Sequence, residues 1–183
     1  RRRGAKGWRD PGTVRRPVDL DRAALLLGGR RALLVREPGD HGRARGPVGL
    51  GGVAGGAVTC AAADIVASDP VMQRRGMEKA IAAAGLGAGD IGLVHAHATS
   101  TPVGDRLEAD AIRAVLGNQV PVTSPNSLTG HLLGRAGALG PLVLLQALTP
   151  GHFPASGTPD PPDARLPPPL LPTPLPAPGP RPA

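Results

Sequence analysis

Tyrosine is absent from the 183 residues, and the only other aromatic side chains are one phenylalanine, Phe153, and one tryptophan, Trp8. Large aromatic side chains each bury about 150–250 Å² in a core, so any packing here must rely on Leu, Val, Ile and Ala. A single cysteine, Cys60, excludes an intramolecular disulfide framework and fits a reducing compartment. No apolar run approaches the roughly 18 residues of a membrane span. The leading arginines are not followed by an apolar segment, which argues against a secretory or twin-arginine signal, and a cytoplasmic setting away from membranes is expected. No set of Cys, His, Asp and Glu has metal-ligand spacing. The glycines at 49, 51, 52, 55 and 56 form neither a dinucleotide fingerprint leading into a helix nor a Gly-Lys-Ser/Thr phosphate loop.

What is plentiful is glycine and proline, 27 and 23 residues, more than a quarter of the chain and in the range of low-complexity segments. The net charge is +7, with arginine clusters at Arg1–Arg3, Arg15–Arg16, Arg30–Arg31 and Arg74–Arg75. Such a field suits an acidic protein partner or nucleic acid, but an Ala/Arg/Gly/Pro-biased composition accounts for it better than either. No helix-turn-helix, zinc spacing or aromatic-basic interleaving supports nucleic acid, and none is expected as a partner.

Residues 1–14 are basic and aperiodic and read as a disordered loop. Two apolar runs between Leu25 and Val35 flank Gly28-Gly29-Arg30-Arg31 and suggest a strand, turn and strand. Gly46–Val58 is β-prone but weakened by its glycines. A helix is expected over 76–85, closed by Gly85. Leu93–Ala96 reads as a buried strand, Thr101–Gly117 as an amphipathic helix with acidic residues near its start, and Val120–Ser124 as a second strand. Ala136–Leu148 is apolar almost throughout, which predicts a helix buried on most sides. Strands feeding helices in this order indicate an α/β fold with functional groups at strand ends, here over residues 15–165. From Pro167 onward nine of seventeen residues are proline, which excludes helix and ladder and leaves 166–183 as an extended, polyproline-like disordered tail.

Two segments carry the chemistry. Val94-His95-Ala96-His97-Ala98-Thr99-Ser100-Thr101-Pro102-Val103-Gly104-Asp105 is followed, 34 residues after His97, by Gly130-His131-Leu132-Leu133-Gly134. Each sets a histidine in a turn rich in small or hydroxyl residues, where imidazole N–H groups can converge on one oxyanion. Loss of one such donor typically costs about 2.7–4 kcal/mol of barrier stabilisation. Asp105 and Glu108 can be read as an acid-base pair, but their place near the start of a helix makes dipole-favouring carboxylates the better reading; Glu108 can also position the histidine turn.

The two segments resemble the histidine loops of the β-ketoacyl-acyl-carrier-protein synthases, in the branch that reads His-(Gly/Ala)-Thr-Ser-Thr-Pro. Arg16-Pro17-Val18-Asp19-Leu20-Asp21-Arg22, Arg43-Ala44-Arg45-Gly46, and Ile65 through Pro70 with Met77-Glu78-Lys79-Ala80 resemble further parts of the family's C-terminal half. The resemblance implies a thiolase-like αβαβα layered fold, of which the chain holds the second α/β half. It implies decarboxylative condensation of a malonyl-carrier-protein with an acyl thioester, in fatty-acid or polyketide synthesis, by a homodimer or with a partner ketosynthase subunit. The substrates ride on phosphopantetheine, so acyl carrier protein is the expected partner and no metal or redox cofactor is expected. His97 and His131 are the implied catalytic donors, Thr99 and Thr101 the pantetheine contacts, and Glu108 and Asn126 the supporting residues.

The departures from the family are equally specific. Its nucleophilic cysteine lies far upstream, in a part of the fold outside this chain. Cys60, 37 residues before His97, aligns with a different segment and reads as a buried small hydrophobe. The family's Lys five residues before the second histidine and Glu nine residues after it are Asn126 and Gly140 here, which weakens electrostatic support of His131. Arg135 stands in a tight turn of small residues, and the proline tail replaces the family's glycine-rich closing loop. Together these predict a truncated or decayed fragment, inactive alone. The alternative is a non-catalytic partner of the chain-length-factor kind.

Overall fold

The computed structural model describes residues 33–44, 46, 50–62, 64, 68–124, 126–148, 152–153, 156 and 175–176. The expectations for 1–14 and for most of the tail lie outside the described residues.

A short helix, α1 (Gly39–Ala44), precedes an extended segment over 50–62. The β-strands expected over 25–35 and 46–58 are not formed in their described parts. Residues 33–38 and 50–58 are irregular and open to solvent, with Val35 and Val58 both more than four-fifths exposed. Instead of entering a sheet, the extended segment runs beside helix α2 (Pro70–Ala83). Thr59 Oγ1 donates to the Met72 carbonyl at 3.1 Å, and a Cβ on Gly55 would come within 2.5 Å of the Ala80 carbonyl oxygen. Only glycine permits that approach of backbone to helix.

Helix α2 starts six residues before the expected Gly76. Asp69 is its N-cap, with Oδ1 accepting from Val71 N at 2.8 Å and Met72 N at 3.3 Å, and Pro70 occupies the first turn. A capping carboxylate followed by proline is a strong start signal, and it outweighs the cost of carrying Gly76 in the helix interior. The chain leaves the helix through Gly85 at φ +69°, as a left-handed terminus requires.

Strand β1 (Val94–His95) and strand β2 (Val122–Thr123) pair in parallel, Val94 opposite Val122 and His95 opposite Thr123. Helix α3 (Pro102–Leu116) makes the crossover between them. Its buried residues Asp105, Ala109 and Ile112 recur at helical spacing, and the helix ends at Gly117. Ala96, Ala98, Ala109, Ile112, Val120 and Val122 form the core, with Met77 and Leu116 packed against it. These are small side chains, as the shortage of aromatics requires.

A single-turn helix, α4 (Asn126–Thr129), follows β2 and leads into the second histidine segment, and α5 (Ala136–Leu148) matches the expected helix end to end. Its burial does not match. Gly140 is buried, but Gly137 and Pro141 are exposed, so one face of α5 is open despite its apolar composition. Strands β3 (His152–Phe153) and β4 (Leu175–Pro176) pair antiparallel, and this corrects the expectation that the proline tail enters no ladder. One short rung at an edge is compatible with proline, whose missing N–H is tolerated there.

Candidate active site

The site lies where parallel strands conventionally present functional groups, beyond their carboxyl ends. β1 delivers His97 two residues past its last residue, and the chain from β2 through α4 delivers His131. The two imidazoles meet edge to face, their centroids 4.9 Å apart and planes at 79°. Separate turns therefore bring both sequence-predicted histidines together.

The His97 turn is held by a carboxylate and strained by its backbone. Glu108, on α3, accepts the His97 N–H at 2.7 Å and the Ala98 N–H at 2.8 Å through its two oxygens. Its carboxylate points at the backbone of the histidine turn. Asn126 Nδ2 donates to the His97 carbonyl, so the backbone of His97 is gripped on both sides. Ala98 and Ser100 adopt φ values of +29° and +70°, conformations that side chains other than glycine rarely take and that cluster at functional turns. Ala98 and Ser100 are both buried, which anchors the strained segment.

Electrostatics favour uncharged imidazoles. Burial lowers the pKa of His97 below the usual value, against the opposing pull of the buried Asp105 carboxylate. Burial also lowers His131, and proximity to His97 adds to the effect. Burial raises Glu108, with the two backbone N–H bonds acting in the opposite direction.

Thr101 is the N-cap residue of α3, and a Cβ on Gly104 would overlap its Oγ1, so that hydroxyl lies over the first helical turn. Thr99 is half-buried in the same turn. A cavity of about 500 Å³ adjoins the turn, lined by His95, His97, Glu108, Asn126 and Thr129 and by apolar residues such as Leu132 and Leu139. Among the described residues, the wall does not include His131, Thr99 or Thr101. Nor does it include Cys60. That residue is exposed, which corrects its reading as a buried hydrophobe, because among the described residues the segment carrying it enters no strand. No group of three His, Cys, Asp or Glu side chains among the described residues is arranged to hold a metal ion.

His95 was missed as a site residue. Its imidazole lines the cavity and lies against Gly140, where a Cβ would stand 3.0 Å from Cε1 and 3.1 Å from Nε2. The missed signal is the two-residue spacing of His95 and His97, which puts alternate side chains of an extended chain on one side.

Solved ketosynthases superpose on this chain. The ishigamide ketosynthase/chain length factor superposes over 90% of this chain and 41% of that one, with TM-score 0.84 and 30% identity. A β-ketoacyl synthase from Burkholderia phymatum superposes over 86% of this chain and 35% of its own, with TM-score 0.70 and 26% identity. The chain belongs to the β-ketoacyl synthase C-terminal domain family, which matches residues 50–158. The 3-oxoacyl-[acyl-carrier-protein] synthase 2 of Mycobacterium tuberculosis is 41% identical over 142 residues, 76% of this chain and 34% of the relative. The enzyme of the same name from Synechocystis is 37% identical over 152 residues, 79% and 36% respectively. The chain thus spans about a third of the length of these curated relatives.

Proposed function

We propose that this chain carries the histidine-bearing half of a 3-oxoacyl-acyl-carrier-protein synthase site. The observation that supports this most directly is the edge-on meeting of His97 and His131 at 4.9 Å. In the condensation, the bond from the malonyl C2 to its carboxylate breaks, carbon dioxide leaves, and the electron pair moves onto the thioester oxygen. N–H groups of neutral His97 and His131 stabilise that enolate oxygen. The enolate carbon then attacks the acyl carbonyl and the enzyme thiolate departs. Glu108 and Asn126 position the His97 turn, and Thr99 and Thr101 contact the pantetheine arm. The chemistry runs on carrier-bound thioesters and calls for no resident cofactor. An acidic acyl carrier protein suits the +7 net charge. The remainder of the site comes from a complementary ketosynthase half in a dimeric assembly, in the cytoplasm.

In this reading the nucleophilic thiol comes from the complementary half and not from Cys60, an exposed residue of the extended segment before α2. Incubation of the purified chain with radiolabelled acyl thioester is expected to leave it unlabelled, whereas mixing it with a complementary N-terminal ketosynthase half restores condensation. Stoichiometric labelling of Cys60 overturns this assignment.

A second reading, a non-catalytic partner of the chain-length-factor kind, is favoured by uncharged Asn126 and Gly140 and by the similarity to a ketosynthase/chain length factor structure. It predicts no turnover with the complementary half but increased activity of an intact ketosynthase on co-assembly.

A further inference from the structure

The chain that delivers His131 leaves β2 at Ser124, which is wholly buried. The N–H of Ser124 has a defined direction. The Thr123 carbonyl accepts from Ala96 N at 2.9 Å, on the β1 side. In a planar trans peptide the following N–H points the opposite way, so Ser124 N–H faces the edge of β2 that β1 does not cover. Among the described residues no further strand pairs with that edge. A buried N–H there costs free energy unless an acceptor reaches it. The acceptor is a side chain from much later in the chain, Ser156 Oγ, at 2.8 Å.

Ser156 lies beyond β3, which packs against α5, and it is only 2% exposed. Its hydroxyl therefore joins the chain returning from α5 to the point where the second histidine segment begins. Two site residues hang from that point. Asn126 donates through Nδ2 to the His97 carbonyl. Its own carbonyl accepts from Gly130 N at 2.9 Å, and Gly130, at φ +71°, turns the chain into His131. Movement at Ser124 displaces both, whereas Glu108 holds the His97 turn independently from α3.

We propose that Ser156 is a positioning residue of the histidine site: its hydroxyl, acting through Ser124, holds Asn126 and His131 where the His131 ring meets His97. The segment beyond α5 is then a working part of the site. The consequence for a thioester rests on the function proposed above, whereas the placement of His131 does not.

Two readouts on the full chain test this. One is the cross-relaxation peak between the His97 and His131 rings without ligand, and the other is equilibrium binding of hexanoyl-N-acetylcysteamine thioester. Ser156→Ala removes only the acceptor. It should abolish the peak and weaken the ester by about fivefold, the worth of one hydrogen bond. Ser156→Thr restores the hydroxyl, and should bring back the peak and return the affinity to within about twofold of the parent. Ser156→Cys keeps the size of the side chain with a weaker acceptor. It should fall between serine and alanine, and it stands in for the alanine variant should that one not fold. In a His131→Ala background, Ser156→Ala should cost the ester less than about twofold further, because the residue it positions is gone. A serine that only stabilises the fold would lower the urea midpoint and leave peak and affinity as in the parent; that result in the alanine or cysteine variant refutes the positioning role. If the ester binds neither parent nor variants while the peak follows the hydroxyl, the thioester reading fails and the positioning of His131 stands.

Discussion

Glu108 shows how one side chain turns a strand end into a site. Its carboxylate satisfies the N–H groups of His97 and Ala98, the two donors that a turn with positive φ at Ala98 would otherwise leave unmet. Glu108→Ala strands both donors and should lower stability by about 2 kcal/mol, whereas Glu108→Gln keeps a carbonyl acceptor for one of them and should cost about half as much. Urea unfolding of the two variants measures the difference; equal losses would mean that the hydrogen bonds are not what the carboxylate contributes. Gly140 is the complementary case, since a methyl group there meets the His95 ring at 3.0–3.1 Å. Gly140→Ala should cost about 1–3 kcal/mol through overpacking, and thermal unfolding no different from the parent chain would contradict the contact. At this scale the sequence was legible where two turns each single out a histidine: His97 and His131, far apart in the chain, have ring centroids 4.9 Å apart. His95 was not singled out, because a histidine in a two-residue strand looks like any half-buried position until its neighbour is known to lack a side chain.

The elements were legible where local signals agree. α3 and α5 match their expected spans because proline, the acidic first-turn residue Asp105 and a closing glycine bound the first, and a largely apolar run fills the second. α2 begins before the expected residue 76 because the Asp69 cap and Pro70 start it and Gly76 is carried in its interior. Asp69→Ala should destabilise the chain by about 1 kcal/mol, as loss of a cap does, with the loss read as a lower urea midpoint and increased amide exchange in the first turn of α2. An unchanged midpoint would assign the start of α2 to tertiary packing alone. The extended segment over 50–62 escaped local reasoning, since an alternating, glycine-rich stretch looks like a strand whether or not a partner is present to complete its ladder.

For the whole molecule, the family frame was visible from two motifs, and the chain covers about a third of its curated relatives. Composition foretold a core of small aliphatic side chains, and Ala96, Ala98, Ala109, Ile112, Val120 and Val122 form one. The openness of α5 was not foretold, because periodicity reports how apolar a helix is and not what lies beside it. The lowered pKa values of His95, His97 and His131 make stability depend on pH in a definite direction. Below the unfolded value of 6.5 the unfolded chain takes up protons that the folded chain still refuses. Stability is therefore retained above that pH and falls as pH drops through the window beneath it. Lowered histidine pKa values should make the urea midpoint decline below that value, offset in part by Glu108, whose raised pKa acts in the opposite direction; His97→Gln should flatten the histidine part of the decline, and a pH profile left unchanged by that variant would contradict a lowered pKa at His97.

The central claim is that His97 and His131 act on one thioester carbonyl. Long-range proton–nitrogen spectra of the histidine side chains, recorded on the full chain with and without an acyl-N-acetylcysteamine thioester, test it most directly. The account predicts that the ring nitrogens of His97 and His131 shift together along one saturation curve, with a cross-relaxation peak joining the two rings throughout. Rings without such a peak, or a ligand that moves one histidine and leaves the other untouched, would contradict it.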